Sequence, residues 1–331
     1  MTQPTMRAVV TADKGGPEVL QLREVPRPEP GNGQVRVKVA TSGVNRADIF
    51  QRKGLYPPPP GCPPDIPGLE YSGTVEAVGP DVLGLHPGDP VMGLVGGGGY
   101  AEYLVAHERE VVRAPEGLDP IRAGAIPEAF LTAFDALVAQ MRIQAGEQVL
   151  IHAVGSGVGT AGLQLARWAG GRALGTSRTP DKLSRAGALG LDVGIQGGDR
   201  NWAADVLDAT GGRGVDVILD LVGGPYLEGN LRALATGGRI ITVGITGGRR
   251  EVIDLRALMG KRGSITGTVL RARPLEEKAA LAQHFQKAAL PGFEDGRLAP
   301  VLDDTFPAAD AADAHRRMEA NLNFGKLLLV W

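Results

Sequence analysis

Cysteine occurs once in the 331 residues, at Cys62, so no disulfide can form within the chain and a fold held by such bridges is excluded. Histidine is nearly as scarce. His86, His107, His152, His284 and His315 stand singly, without the i, i+4 spacing that puts two imidazoles on one helical face. Structural zinc asks for four close Cys or His ligands and catalytic zinc for three protein ligands, so the chemistry is expected to run without a bound metal. An excess of one charge is missing too: 35 Lys and Arg against 37 Asp and Glu leave −2, no general field for nucleic acid or an anionic membrane. Aromatics are 5% of the chain, with no basic aromatic stripe for bases to stack on. No apolar run reaches the roughly 18 residues of a membrane-spanning helix. The start MTQPTMRAVV lacks the apolar core of a signal peptide, which makes a reducing cytoplasm the expected compartment.

What is present is ordinary globular composition, 43% hydrophobic and 22% charged, in a chain long enough for roughly two domains. Residues 6 to 110 read as all-β. In Val35-Arg36-Val37-Lys38-Val39 apolar residues alternate with cations at period two, as on a half-exposed strand, and Pro-Gly and Gly-Asp turns follow at short intervals. From about Pro127 Ala-rich helical patterns alternate with β-branched runs, which predicts βαβ units. The predicted strands are Gln148 to Ala153, Arg172 to Thr176, Val193 to Gln196, Val215 to Leu221, Arg239 to Gly244 and Ser264 to Val269, in a mostly parallel sheet covered on both faces. A helical segment from Arg273 through Leu290 comes next, then a strand near Val301, a helix from Ala308 to Ala320, and the apolar end KLLLVW, a short strand able to return to the first lobe.

The segment VLIHAVGSGVGTAGLQLARWAGG joins an apolar run to Gly157-Val158-Gly159-Thr160-Ala161-Gly162 and then to a helical pattern. Glycines there let the backbone turn tightly and approach a pyrophosphate, while the helix start offers free N–H groups to the anion. With a second strand about 20 residues on, the context is that of a dinucleotide-binding turn. NAD-specific folds tend to end that strand on an acid for the ribose 2′-hydroxyl. This chain reads GTSRTPDK instead, so Ser177, Arg178 and Lys182 set a hydroxyl and two cations where a 2′-phosphate would lie. NADPH is the expected cofactor; the alternative is that Arg178 and Lys182 are solvated surface cations.

At this point the chain resembles the zinc-free, zeta-crystallin-like quinone oxidoreductases of the medium-chain dehydrogenase/reductase superfamily. The likeness runs through GGPEVL, NRADIFQRKGLYPPPPG, GLEYSGTVEAVG, GLHPGDPV, IPEAFLTAF, the glycine turn and MEANLNFGK, nearly the whole chain. It implies an α/β protein with a GroES-like β-barrel catalytic lobe, residues 1–127 and 271–331, and a doubly wound Rossmann lobe, residues 128–270, for NADP(H). Where zinc relatives carry Gly-His-Glu this chain has Gly68-Leu69-Glu70, and Ser156 stands at a usual glycine position. A tyrosine that relatives place near the 2′-phosphate is replaced by Gln196 or a neighbour.

Carried over by position, the resemblance implies catalytic roles for Tyr56, Asn45 and Asp48, the first two facing nicotinamide and substrate with Asp48 beside them. Thr132 would lie near the nicotinamide, Ser156, Gly157, Val158 and Gly159 under the pyrophosphate, and Ser177, Arg178 and Lys182 at the 2′-phosphate. Leu221, Gly244, Thr246, Leu270 and Asn323 would line the rest of the groove. The activity implied is reduction of quinones, ortho-quinones by preference, in one- or two-electron steps. A quinone is already electrophilic, so neither a Lewis acid nor a strong proton donor is obligatory, and the protein need only hold donor and acceptor together. The competing readings are an alkenal or enoyl reductase on the same scaffold and a non-catalytic NADPH-binding or RNA-binding protein. A homodimer is implied as well, paired through the edge strand near residues 262–270, where SITGTVL is β-prone and uncharged.

Overall fold

The alternation at Val35 to Val39 does build a strand, and the computed structural model, which describes residues 4–198 and 201–331, places it centrally in the first of two units. That unit comprises residues up to Leu131 and from Leu270 onward. Its first strands, β1 (Thr5–Thr11) and β2 (Leu20–Pro26), pair antiparallel by themselves. β3 (Gln34–Val44) pairs along one edge with β4 (Glu70–Val78), which continues to β5 (Pro90–Leu94). The other edge of β3 takes β6 (Tyr103–His107), while β7 (Val111–Arg113) closes onto β5. Val35, Val37 and Val39 point into a core with Tyr71, Val75 and Val91. Arg36 is buried, not half-exposed as its place in the alternation suggests, because Glu76 (2.6 Å), Glu29 (2.6 Å) and the Pro28 carbonyl take up its guanidinium.

The region is not all-β: residues Arg46–Arg52 form a helix between β3 and β4. Its start is a capping box, in which Asp48 reaches back to the Asn45 N–H at 2.8 Å. The Asn-x-x-Asp spacing was visible in the sequence, and short local capping overrode the surrounding strand pattern.

The second unit, Thr132–Val269, holds a six-stranded sheet: β8 (Gln148–Ile151), β9 (Arg172–Ser177), β10 (Val193–Gln196), β11 (Val215–Asp220), β12 (Leu234–Thr242) and β13 (Ser264–Gly267). The order is β10-β9-β8-β11-β12-β13, every pairing parallel. β12 begins five residues earlier than the β-branched run suggests, with a register shift against β11 where Gly237 adopts a positive φ of 78°. One sheet face packs Leu150, Leu174, Ile218 and Ile240 against helical residues Trp202, Val206 and Leu231. The order reverses between β8 and β11, the switch point at which doubly wound sheets bind ligands beyond their carboxyl ends.

The chain then re-enters the first unit. The helix Leu275–Ala288 precedes β14 (Leu302–Pro307), the helix Ala311–Glu319 and β15 (Lys326–Val330). β15 pairs with the Thr41–Val44 end of β3, the return anticipated from KLLLVW. Among the described residues no helix is long and apolar enough to cross a membrane.

Candidate active site

Beyond β8 the chain turns through residues 152–156, with Ala153 at φ +48°, and enters the helix Gly157–Trp168. A Cβ on Gly159 would stand 2.4 Å from the Ala153 carbonyl oxygen, so the turn demands glycine there, and one on Gly162 would stand 2.7 Å from Leu219 Cδ2, where the helix approaches the strand. Ser156 is the helix N-cap, its Oγ accepting the Gly159 N–H at 3.0 Å. The departure from glycine is therefore absorbed by the helix. It leaves the Gly157 and Val158 N–H groups, which no helical turn satisfies, for an anion.

Ser177 ends β9 buried, its Oγ accepting the Thr179 N–H at 3.3 Å, and the exposed Arg178 follows it. Lys182 lies half-buried in the first turn of the helix Pro180–Ala188. Gln196 ends β10 opposite Ser177. A tyrosine from outside the strand reaches its end: Tyr226 accepts the Gly198 N–H at 3.3 Å on its hydroxyl, which would lie 2.8 Å from a Cβ on Gly197. Nothing local in the sequence connects Tyr226 with β10. Leu221, Gly244 and Thr246 converge where β11 and β12 end, with the Thr246 hydroxyl donating to the Leu221 carbonyl at 3.1 Å.

A buried polar chain ties these strand ends together. Thr176 donates to His152 Nδ1 (2.9 Å), His152 Nε2 donates to Asn230 (2.6 Å), and Asn230 donates to Asp220 (3.0 Å). The other Asp220 oxygen accepts the Val222 and Gly223 N–H groups. Burial lowers the pKa of His152, which keeps the ring neutral, as its role as acceptor from Thr176 requires. Trp202 and Tyr226 meet the imidazole edge-on at 4.7 Å and stack on each other.

In the first unit Tyr56 opens the proline loop, and its ring lies under Arg271, whose guanidinium carbon is 4.8 Å from the ring centre. Arg271, not anticipated from sequence, also donates to the carbonyls of Gly96 (2.7 Å) and Tyr56 (3.1 Å) and to Gln51. Burial raises the Tyr56 phenol above its usual range, with Arg271 opposing. Asn45 donates to Glu70 at 2.8 Å and accepts from Lys326 at 2.6 Å; Glu70 and Lys326 form a buried ion pair.

Asp48 sits apart from the catalytic role that the resemblance implies. It has no exposed surface, and its carboxylate is taken up by the Asn45 N–H, the Gly68 N–H (3.1 Å) and the Tyr100 hydroxyl (3.1 Å), so it holds Asn45 and the Gly68 turn instead of meeting substrate. Burial pushes its pKa up to about 6, against those hydrogen bonds. Asn323 is buried and donates to the Gly325 carbonyl at 2.9 Å, and Leu270 is buried. Thr132, also buried, opens the second unit in the one ordinary helical turn between two wider π-type stretches, Pro127–Leu131 and Asp135–Gln140.

Residues 157–286 match the zinc-binding dehydrogenase family and residues 31–116 the alcohol dehydrogenase GroES-like domain. The quinone oxidoreductase of Homo sapiens is 34% identical over 331 residues, covering 99% of this chain and 98% of the human one. The chain belongs to the quinone oxidoreductase family of the medium-chain dehydrogenase/reductase superfamily. It is an oxidoreductase with the GroES-like and Rossmann-like parts expected from the resemblance. Among solved structures, an NAD-dependent alcohol dehydrogenase is 35% identical with a TM-score of 0.88, covering 98% of this chain and all of that one. A mycobacterial protein complexed with NADPH is 29% identical with a TM-score of 0.86, covering 98% of this chain and all of its own.

Zinc, which the family's description names, finds no donor set among the described residues. Leu69 is apolar and buried, and among the described residues no three His, Cys, Asp or Glu side chains are placed to hold a metal ion.

Proposed function

We propose that this oxidoreductase reduces quinones with NADPH and without zinc. The observation carrying the cofactor assignment is the end of β9, where Ser177-Arg178 stands in place of an acidic residue that would repel a 2′-phosphate. Gly157 and Val158 would hold the pyrophosphate on their N–H groups, and Ser177, Arg178 and Lys182 the 2′-phosphate, with Tyr226 closing that end. Bound reduced nicotinamide supplies a hydride. Thr132, Leu221, Gly244, Thr246, Leu270 and Asn323 would line the cofactor. Asn45 donates an N–H to a quinone carbonyl oxygen, and Tyr56, fixed by Arg271, packs against the ring and delivers a proton from its hydroxyl or through water.

The test is NADPH and NADH oxidation side by side with an ortho-quinone, a para-quinone and an enone, after chelator treatment. Chelator-resistant, NADPH-dependent quinone turnover is expected; activity on the enone alone would make the protein an alkenal or enoyl reductase. Tyr56→Phe should lower kcat/KM for quinone at least about tenfold, a modest share of what positioned proton donors contribute, with KM for NADPH unchanged. Turnover and quinone affinity both untouched would remove Tyr56 from the mechanism.

The homodimer also belongs to this proposal. β13 has one neighbour, β12, and lies at the sheet edge, while Val252, Leu255, Met259, Ile265 and Val269 are exposed along the same stretch of chain. Such an edge is an aggregation hazard unless covered. Light scattering should give twice 34.5 kDa for the parent chain and 34.5 kDa for Met259→Asp combined with Ile265→Lys. A parent monomer at low micromolar concentration would refute the pairing.

A further inference from the structure

Glu70 and Lys326 are buried, 0% and 3% exposed, in the first unit. An ion pair so placed adds little to stability over an apolar pair, because both charges lose their water. Its geometry points instead to specificity at Asn45. The Lys326 ammonium has three hydrogens, and all are committed: to the Val44 carbonyl (3.2 Å), to Asn45 Oδ1 (2.6 Å) and to Glu70 Oε1. Glu70 Oε1 also accepts from Asn45 Nδ2 at 2.8 Å, and Oε2 accepts the Glu128 N–H at 2.7 Å. A cation that can only donate and a carboxylate that can only accept grip opposite ends of one amide. Turning that amide over would set NH₂ against ammonium and oxygen against carboxylate. In the orientation held, the second Asn45 N–H has only a long contact, 3.4 Å to the Gly43 carbonyl.

Gly43 belongs to the same device. A Cβ there would lie 2.1 Å from Glu70 Oε1, so the missing side chain is what admits the carboxylate. Leu69, at the position where zinc relatives carry a histidine, is apolar and buried, and Lys326 balances the charge of Glu70.

We propose that Glu70 and Lys326 are positioning residues that lock the Asn45 amide with one N–H available to the substrate carbonyl oxygen. The inference rests on the reading that Asn45 meets the quinone, and its test separates the two. Asn45→Ala, Lys326→Met, Gly43→Ala and the two double variants with Asn45→Ala are assayed with NADPH and one para-quinone, alongside thermal unfolding. Asn45→Ala is expected to lower quinone kcat/KM about tenfold, the size of one lost hydrogen bond. Lys326→Met should do the same in the parent chain and change kcat/KM less than about threefold once Asn45 is gone, with KM for NADPH unchanged throughout. Gly43→Ala, which expels the carboxylate without altering a charge, should reproduce that pattern and decides the matter if Lys326→Met does not fold. Equal losses with and without Asn45 would show that the pair supports the fold alone and overturn the inference. Full quinone activity in Asn45→Ala would overturn the parent reading, and the inference with it.

Discussion

Arg178→Glu should reverse the cofactor preference. A charge-assisted hydrogen bond from guanidinium to phosphate is worth about 1.5–3 kcal/mol, roughly a 10- to 150-fold effect, and replacing attraction by repulsion adds a comparable loss. The ratio of kcat/KM for NADPH to that for NADH should fall on the order of a thousandfold, with part of the change a gain for NADH, since a carboxylate there can accept from the ribose hydroxyls. Arg178 is exposed beyond the end of β9, so the thermal midpoint should stay where it is. Ser177 is a poorer target, being buried and bonded to the Thr179 N–H. A ratio changed less than about threefold would reduce Arg178 to a solvated cation and leave the 2′-phosphate to Lys182 and Tyr226.

Acid should unfold the protein from below pH 6.5, with His315 as a principal cause. His315 is buried between Arg52, which donates to its Nδ1 at 3.2 Å, and the Tyr100 hydroxyl, 3.1 Å from Nε2. Burial first, then the Arg52 charge, lower its pKa to about 3 from 6.5, with Glu319 opposing. The native state thus binds fewer protons than the unfolded chain across that window, so this contribution is complete above pH 6.5 and shrinks as pH falls, by about 1.4 kcal/mol per unit. His152, lowered by burial, acts in the same direction. Asp48 acts oppositely: its native pKa of about 6 exceeds the ordinary 3.8, so between those values the folded chain binds the extra proton and gains as pH falls. Denaturant unfolding of His315→Gln from pH 7 to 4 should show a slope smaller by about 1.4 kcal/mol per pH unit. An unchanged slope would mean that His315 accepts its proton in the native state.

Much of the architecture was legible because its causes are local or periodic. The β-branched runs marked all six strands of the parallel sheet to within a few residues, β12 excepted, where paired glycines hid five residues at its start. The glycine turn announced itself because at Gly159 a side chain would run into the Ala153 backbone. The helix Arg46–Arg52 was hidden by strand patterns on both sides, although its capping spacing was readable. Asp48 was misjudged because its neighbours in sequence are near the proposed chemistry, whereas its burial depends on Tyr100 and Gly68.

By itself the sequence determined the fold class, the glycine turn into the helix Gly157–Trp168 and the cationic end of β9, since each rests on residue types at short spacing. Tertiary structure alone decided which distant groups complete these features: Tyr226 against Gly198, Arg271 over Tyr56, and Lys326 on Asn45, 281 residues away in the chain. No local pattern encodes such pairings. Desolvation selects them, because a buried cation, amide or phenol must find partners wherever the chain's packing brings them.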